Sequence, residues 1–134
     1  MSAESVRFPQ FAVVNLAREG AASTESYRNV VVNRVNESCL RLATFEGEYR
    51  WHFHPDSDEM FVVVDGQLEI DLADGSLLRL GSWDMVTIPA GVIHRTRACG
   101  VGRTINITFE HMGAGTTFVD EPGEAASGDR SIAT

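Results

Sequence analysis

The sequence predicts an all-β protein, a closed antiparallel barrel or two-sheet jelly roll whose interior holds one small ligand. Three observations predict it. From residue 30 onward about nine short apolar runs follow one another, rich in valine, isoleucine and phenylalanine. Turn residues separate them, with Asp65-Gly66, Asp74-Gly75 and Pro89-Ala90-Gly91 as the strongest signals. Helical periodicity is nearly absent.

The N-terminal segment, residues 1–29, carries no strand pattern and is expected to be loop or a short helix. The barrel is expected over residues 30–119, beginning with VVVNRV and SCLRLATF and ending with RTINITF. Within it QLEIDL alternates cleanly, so Leu68, Ile70 and Leu72 should face a core while Gln67, Glu69 and Asp71 face water. EMFVVV is apolar on both parities. Glu59, Phe61 and Val63 should face the interior, which leaves Met60, Val62 and Val64 for a second dry surface. The other sheet wall, the N-terminal segment and a second copy of the chain are candidates for that surface, and a homodimer is the expectation. Beyond Val119 the chain turns small and polar, EPGEAASGDRSIAT, and residues 120–134 are expected to form a disordered tail.

At 134 residues the chain can close a single core. A formal charge of -8 argues against nucleic acid or an anionic membrane surface as a partner. There is no lysine, which excludes Schiff-base chemistry and leaves eleven arginines for cationic work. Cys39 and Cys99 lie far apart with no CxxC pairing and read as reduced thiols. MSAESVRFPQ lacks an apolar signal core, so the expected location is cytoplasmic.

Two of the four histidines lie in WHFHPDSDEMF, residues 51–61. On an extended strand His52 and His54 point the same way, roughly 6 to 7 Å apart at Cα, with Trp51 and Phe53 on the opposite, apolar face. Pro55-Asp56-Ser57-Asp58 reads as a turn that brings Glu59 beside the two imidazoles. His94, just after Pro89-Ala90-Gly91, supplies a third ring, and only His111 is left over. Each fragment alone has a structural reading, as an exposed polar edge or a hydrogen-bonded interior residue. Together they point to one divalent ion, because inward imidazoles and a carboxylate among valine and phenylalanine are costly to desolvate and coordination satisfies all four.

These residues resemble the two motifs of the cupins, small metal-binding β-barrels. The first runs from Gly47 through His52, Phe53, His54 and Glu59 to Gly66; the second is Pro89-Ala90-Gly91-Val92-Ile93-His94. The resemblance implies the cupin double-stranded β-helix over about residues 35–110, with His52, His54, Glu59 and His94 as metal ligands. More narrowly, WHFHPDSDEMFVVVDGQLEI is similar to small single-domain cupins grouped as mannose-6-phosphate isomerase-like, a label that reports barrel similarity and no reaction. Trp83 stands where the second motif has a glycine, and Ala98 where it often has an asparagine.

Three histidines and a carboxylate suit Fe, Mn, Ni, Zn or Co in the divalent state. Such a centre serves Lewis-acid isomerase or lyase chemistry, or binds substrate and O₂ side by side. The expectation is a metal-dependent enzyme acting on a small, oxygen-bearing, anionic metabolite. The alternative is a non-catalytic module in which the metal orients a small-molecule ligand. If the strand leading to His52 is regular, Arg50 shares its parity and reaches a substrate carboxylate; Thr96 follows His94 on the same face. Arg50 and Thr96 are therefore the candidate catalytic residues. Tyr49 falls on the opposite parity, Phe61 and Val63 form apolar wall, and Asp58 is expected to cap its turn.

Overall fold

The computed structural model describes residues 5–99 and 102–123. One short helix, α1 (Leu16–Ala21), precedes β1 (Tyr27–Val35), β2 (Ser38–Phe45), β3 (His52–Phe53), β4 (Glu59–Asp65) and β5 (Leu68–Leu72). There follow β6 (Leu77–Leu80), β7 (Met85–Ile88), β8 (His94–Ala98), β9 (Thr104–His111) and β10 (Thr117–Phe118). The strands form two five-stranded sheets, ordered β1-β2-β9-β4-β7 and β10-β3-β8-β5-β6. All pairings between these strands are antiparallel, which gives the double-stranded jelly roll of the cupin type. β1 begins at Tyr27, three residues before the expected start of the barrel. The expected tail lies, beyond residue 123, outside the described residues.

Between the sheets lies an apolar core of Ala43, Phe45, Phe61, Val63, Leu68, Ile70, Leu80, Ile88 and Val92. β5 follows its alternation: Leu68 and Ile70 are fully buried, while Glu69 and Asp71 sit outside in a ladder of arginines. The first sheet has a second core on its outer face. There Val32, Leu42, Val64, Ile105 and Ile107 pack against Phe8, Val14 and Leu16 of the N-terminal segment. That segment is pinned by the Arg7 and Phe8 amides, which donate to the carbonyls of Val31 and Val32. Asn15 caps α1, its side-chain oxygen accepting from the Arg18 amide at 2.9 Å. At Gly20 the helix lies so close to the sheet that an added Cβ would come within 2.5 Å of Ile105 Cγ2.

This corrects the reason for expecting a homodimer at β4. Val62 and Val64 are covered by the chain's own N-terminal segment and need no second copy. Among the described residues no helix is long and apolar enough to cross a membrane.

Two turns explain motif positions. Gly66 has φ +87, and a Cβ there would stand 2.8 Å from the Arg103 carbonyl oxygen, so the β4–β5 turn requires glycine. Trp83 adopts the left-handed conformation, φ 69, which a glycine would take without strain. Its amide donates to the Val63 carbonyl at 2.7 Å, which anchors the turn, and its ring stays mostly exposed.

Candidate metal centre

β3 and β8 run side by side, and their register sets His52 directly opposite His94. Glu59 opens β4 in the facing sheet, and His54 follows β3 with its carbonyl accepting from the Gly91 amide at 2.8 Å. The two motifs are tied a second time by Asp58, whose Oδ1 accepts from the Ala90 amide at 2.9 Å, so it braces the Pro89-Ala90-Gly91 turn rather than its own. One ligand atom from each of His52, His54, Glu59 and His94 lies within 4.8 Å of every other, and all four side chains are buried.

The hydrogen bonds decide which nitrogens face this point. His52 Nδ1 bonds the Arg50 carbonyl at 2.7 Å, His54 Nδ1 the Gly115 carbonyl at 2.9 Å, and His94 Nδ1 the Val92 carbonyl at 2.9 Å. A carbonyl oxygen only accepts, so each ring carries its proton on Nδ1 and directs an Nε2 lone pair inward. Gly115 is itself positioned by Asp56, whose Oδ1 accepts from its amide at 3.0 Å. His54 Nε2 lies 3.1 Å from Glu59 Oε1 yet off the hydrogen-bond direction, and among the described residues this buried nitrogen has no hydrogen-bond partner.

Lone pairs and a carboxylate converging in a dry pocket repel one another unless a cation sits among them. Burial, with His94 beside it, pushes the His52 ring down to about 4, so this ring stays neutral. Burial also works against a charged His54, but the nearness of the Glu59 carboxylate outweighs it and lifts that ring to about 9. Glu59 is held ionised against its own burial by His54 and His94. The protein alone thus balances Glu59 with a second proton, on His54 Nε2, and a divalent cation fits the same place, displacing that proton so that all three Nε2 lone pairs are engaged.

The cluster opens into a cavity of about 290 Å³, near the lower bound for small-molecule sites. Its wall includes Tyr27, Asn29, Arg41, Phe61, Thr96, Asn106, Thr108 and Glu110.

Similarity to known proteins agrees with this geometry. The cupin domain model matches residues 41–108, half of the chain. The chain belongs to the cupin family. A Bacillus subtilis (strain 168) relative, the uncharacterized protein YdbB, is 45% identical over 97 residues, covering 72% of this chain and 84% of that protein. Among solved structures, protein NMB1881 from Neisseria meningitidis superposes with a TM-score of 0.66 at 28% identity, covering 75% of this chain and 99% of that one. A cupin-2 domain containing protein from Shewanella frigidimarina gives 0.65 at 29% identity, covering 74% and 93%.

Within this cupin, Thr96 lines the cavity, as its parity with His94 requires. Arg50 does not. It is exposed, with its guanidinium 3.9 Å from the centre of the Phe118 ring, which packs in turn 6.1 Å from the His52 ring. Parity with His52 does not carry back to residue 50, because β3 is only His52–Phe53. Residues 49–51 are irregular, tied by the Tyr49 amide to the Thr96 carbonyl, and it is Tyr49 that turns inward, 5.3 Å from His52 ring to ring. Sequence reasoning missed Arg41, Asn106, Thr108 and Glu110. For the last three the signal is a polar row on one parity of NITFE, at Asn106, Thr108 and Glu110, which alternation alone does not place inside or outside.

Proposed function

We propose that this cupin is a divalent-metal-dependent enzyme acting on a small, oxygen-bearing, anionic metabolite. One observation carries the reading: three Nδ1–H groups held by main-chain carbonyls aim three Nε2 lone pairs, with the Glu59 carboxylate, at one buried point. His52, His54, Glu59 and His94 would hold the ion, which is Fe, Mn, Ni, Zn or Co by donor type. Bound there, it would polarise a ligand oxygen as a Lewis acid.

The chain's own residues would position the substrate. The Thr96 hydroxyl, on the strand that carries His94, orients it beside the cluster. Burial pushes the Tyr27 hydroxyl up to about 12, so it stays a protonated donor at the cavity wall through the neutral range. Phe61 and Phe45 keep water from the apolar side.

Homodimerisation belongs to the proposal with its surface moved. Phe11 and Val13 are fully exposed between the seated Phe8 and Val14, so the N-terminal segment offers a second copy two apolar side chains. Sedimentation at micromolar concentration tests this, and a monomer overturns it.

Elemental analysis of untagged protein tests the metal. About one ion per chain, lost in His52→Ala, is expected; a parent protein that carries none and takes up none on reconstitution overturns the reading. Iron would direct assays to O₂-dependent oxidation, and manganese, nickel or zinc to redox-neutral chemistry.

A further inference from the structure

The cavity has a second polar wall that metal ligation does not use. On β9 the residues Asn106, Thr108 and Glu110 point inward, and across the register Arg41 of β2 pairs with Thr108. Thr108 in turn pairs with Phe61 of β4, whose ring lies 6.1 Å from that of His94. Arg41 is thus two strand spacings, about 10 Å at Cα, from the strand that carries Glu59. Arg41, His52 and His54 line the same cavity, which at about 290 Å³ is of small-molecule size.

Among the described residues, Arg41 is the arginine in the lining of this cavity. Glu110 Oε2 accepts from its Nε at 2.8 Å, and Asn29 Oδ1 from one Nη at 3.3 Å. The pair is largely buried, at 16% and 6% side-chain exposure. A buried ion pair contributes little stability compared with apolar residues of the same volume, so its presence inside a barrel calls for another reason. Asn106 supplies an independent observation. It is 2% exposed, and while its Oδ1 accepts from Thr104 Oγ1 at 3.4 Å, its Nδ2 has no partner among the described residues. A buried amide donor left unsatisfied on a cavity wall carries a penalty that a ligand oxygen would remove.

We propose that Arg41 and Asn106 form a second anchor, which makes this a site for a short carboxylate bearing a further hydroxyl or oxo oxygen. Arg41, oriented by Glu110 and Asn29, meets the carboxylate; Asn106 donates to the additional oxygen and sets the specificity. The assignment rests on the cavity being the substrate site of the proposed enzyme, but the anchor belongs to the chain and operates without metal.

Isothermal titration calorimetry with malate, succinate and butane-1,2,4-triol separates the parts, because the three share a four-carbon skeleton. The protein is used both stripped of metal and loaded with Mn²⁺. Malate is expected to bind roughly tenfold or more tightly than succinate, and the triol far more weakly than either. Arg41→Gln should weaken both acids by roughly tenfold or more. Asn106→Leu should bring malate down to the level of succinate and leave succinate unchanged. Because Arg41→Gln leaves Glu110 without its partner, the neutral Arg41→Gln/Glu110→Gln double variant, checked by circular dichroism melting, keeps the test valid if the single variant unfolds. Triol binding equal to malate, acid affinity unchanged in both Arg41 variants, or no acid bound in either form overturns the assignment. Arg41-dependent binding in a chain that takes up no metal would uphold it while the metal reading fails; metal uptake without acid binding would do the reverse.

Discussion

β5 and β9 are both alternating strands, and they alternate in opposite senses. On β5 the apolar row, Leu68 and Ile70, faces the barrel interior and the charged row faces solvent. On β9 the polar row, Asn106, Thr108 and Glu110, faces the interior, and Ile105, Ile107 and Phe109 face outward. The difference lies in what covers each sheet. The second sheet meets water with an ion-pair ladder, whereas the first is roofed by Phe8, Val14, Leu16 and α1. Roofing frees the inner face of β9 from supplying the apolar core, and that face builds the ligand cavity instead.

The largest effect expected from this comparison is that an outward isoleucine behaves as a core residue. Ile70→Ala and Ile107→Ala should each cost about 2–5 kcal/mol in urea unfolding. Ile107 is 7% exposed, against 0% for Ile70. A cost near that of a surface substitution, within about 0.5 kcal/mol, would mean that the N-terminal segment does not seat in solution.

Gly20→Ala tests the same roof through the sign of its effect. In a helix free of packing the change stabilises by about 1 kcal/mol. Against the sheet, the new methyl would press on Ile105 Cγ2 at 2.5 Å and Thr44 Oγ1 at 3.1 Å, and about 1–3 kcal/mol should be lost. Amide hydrogen exchange in α1 should rise with it. Gained stability would place the helix off the sheet.

The roof is also what limited the reading of the sequence. The motif residues were legible because spacing alone sets them: His52 and His54 two apart, Glu59 after a turn, and His94 after Pro89-Ala90-Gly91. β5 was legible because one face meets water. EMFVVV showed that a second dry surface existed, but nothing in Phe8, Val14 and Leu16 is periodic, so the sequence could not say that the chain covers itself. For the same reason NITFE left undecided which row looks inward. Arg50 was misplaced by a different cause, because residues 49–51 do not continue β3 and parity cannot be counted across an irregular stretch.

The smallest effect separates the two strands by pH. Outside β5, Glu69 is held down at about 2 by the Cys99 thiol, Arg79 and Arg97, and Asp71 is held low by Arg97 and Arg95. Inside the barrel, burial and the nearby Glu59 push Glu110 of β9 above the usual carboxylate range. The linkage signs are therefore opposite. The Glu69 contribution is complete above the unfolded value of about 4 and is lost as pH falls toward 2. That of Glu110 is complete below about 4 and is lost as pH rises through its raised value. Urea midpoints of metal-free parent, Glu69→Gln and Glu110→Gln proteins across pH 3 to 7 read this directly. Relative to the parent, Glu69→Gln should lose ground as pH rises from 3 and then level off, while Glu110→Gln should gain ground. Slopes of the same sign would show that Glu110 is solvated like an outer carboxylate, and the inverted strand would then have no dry polar wall.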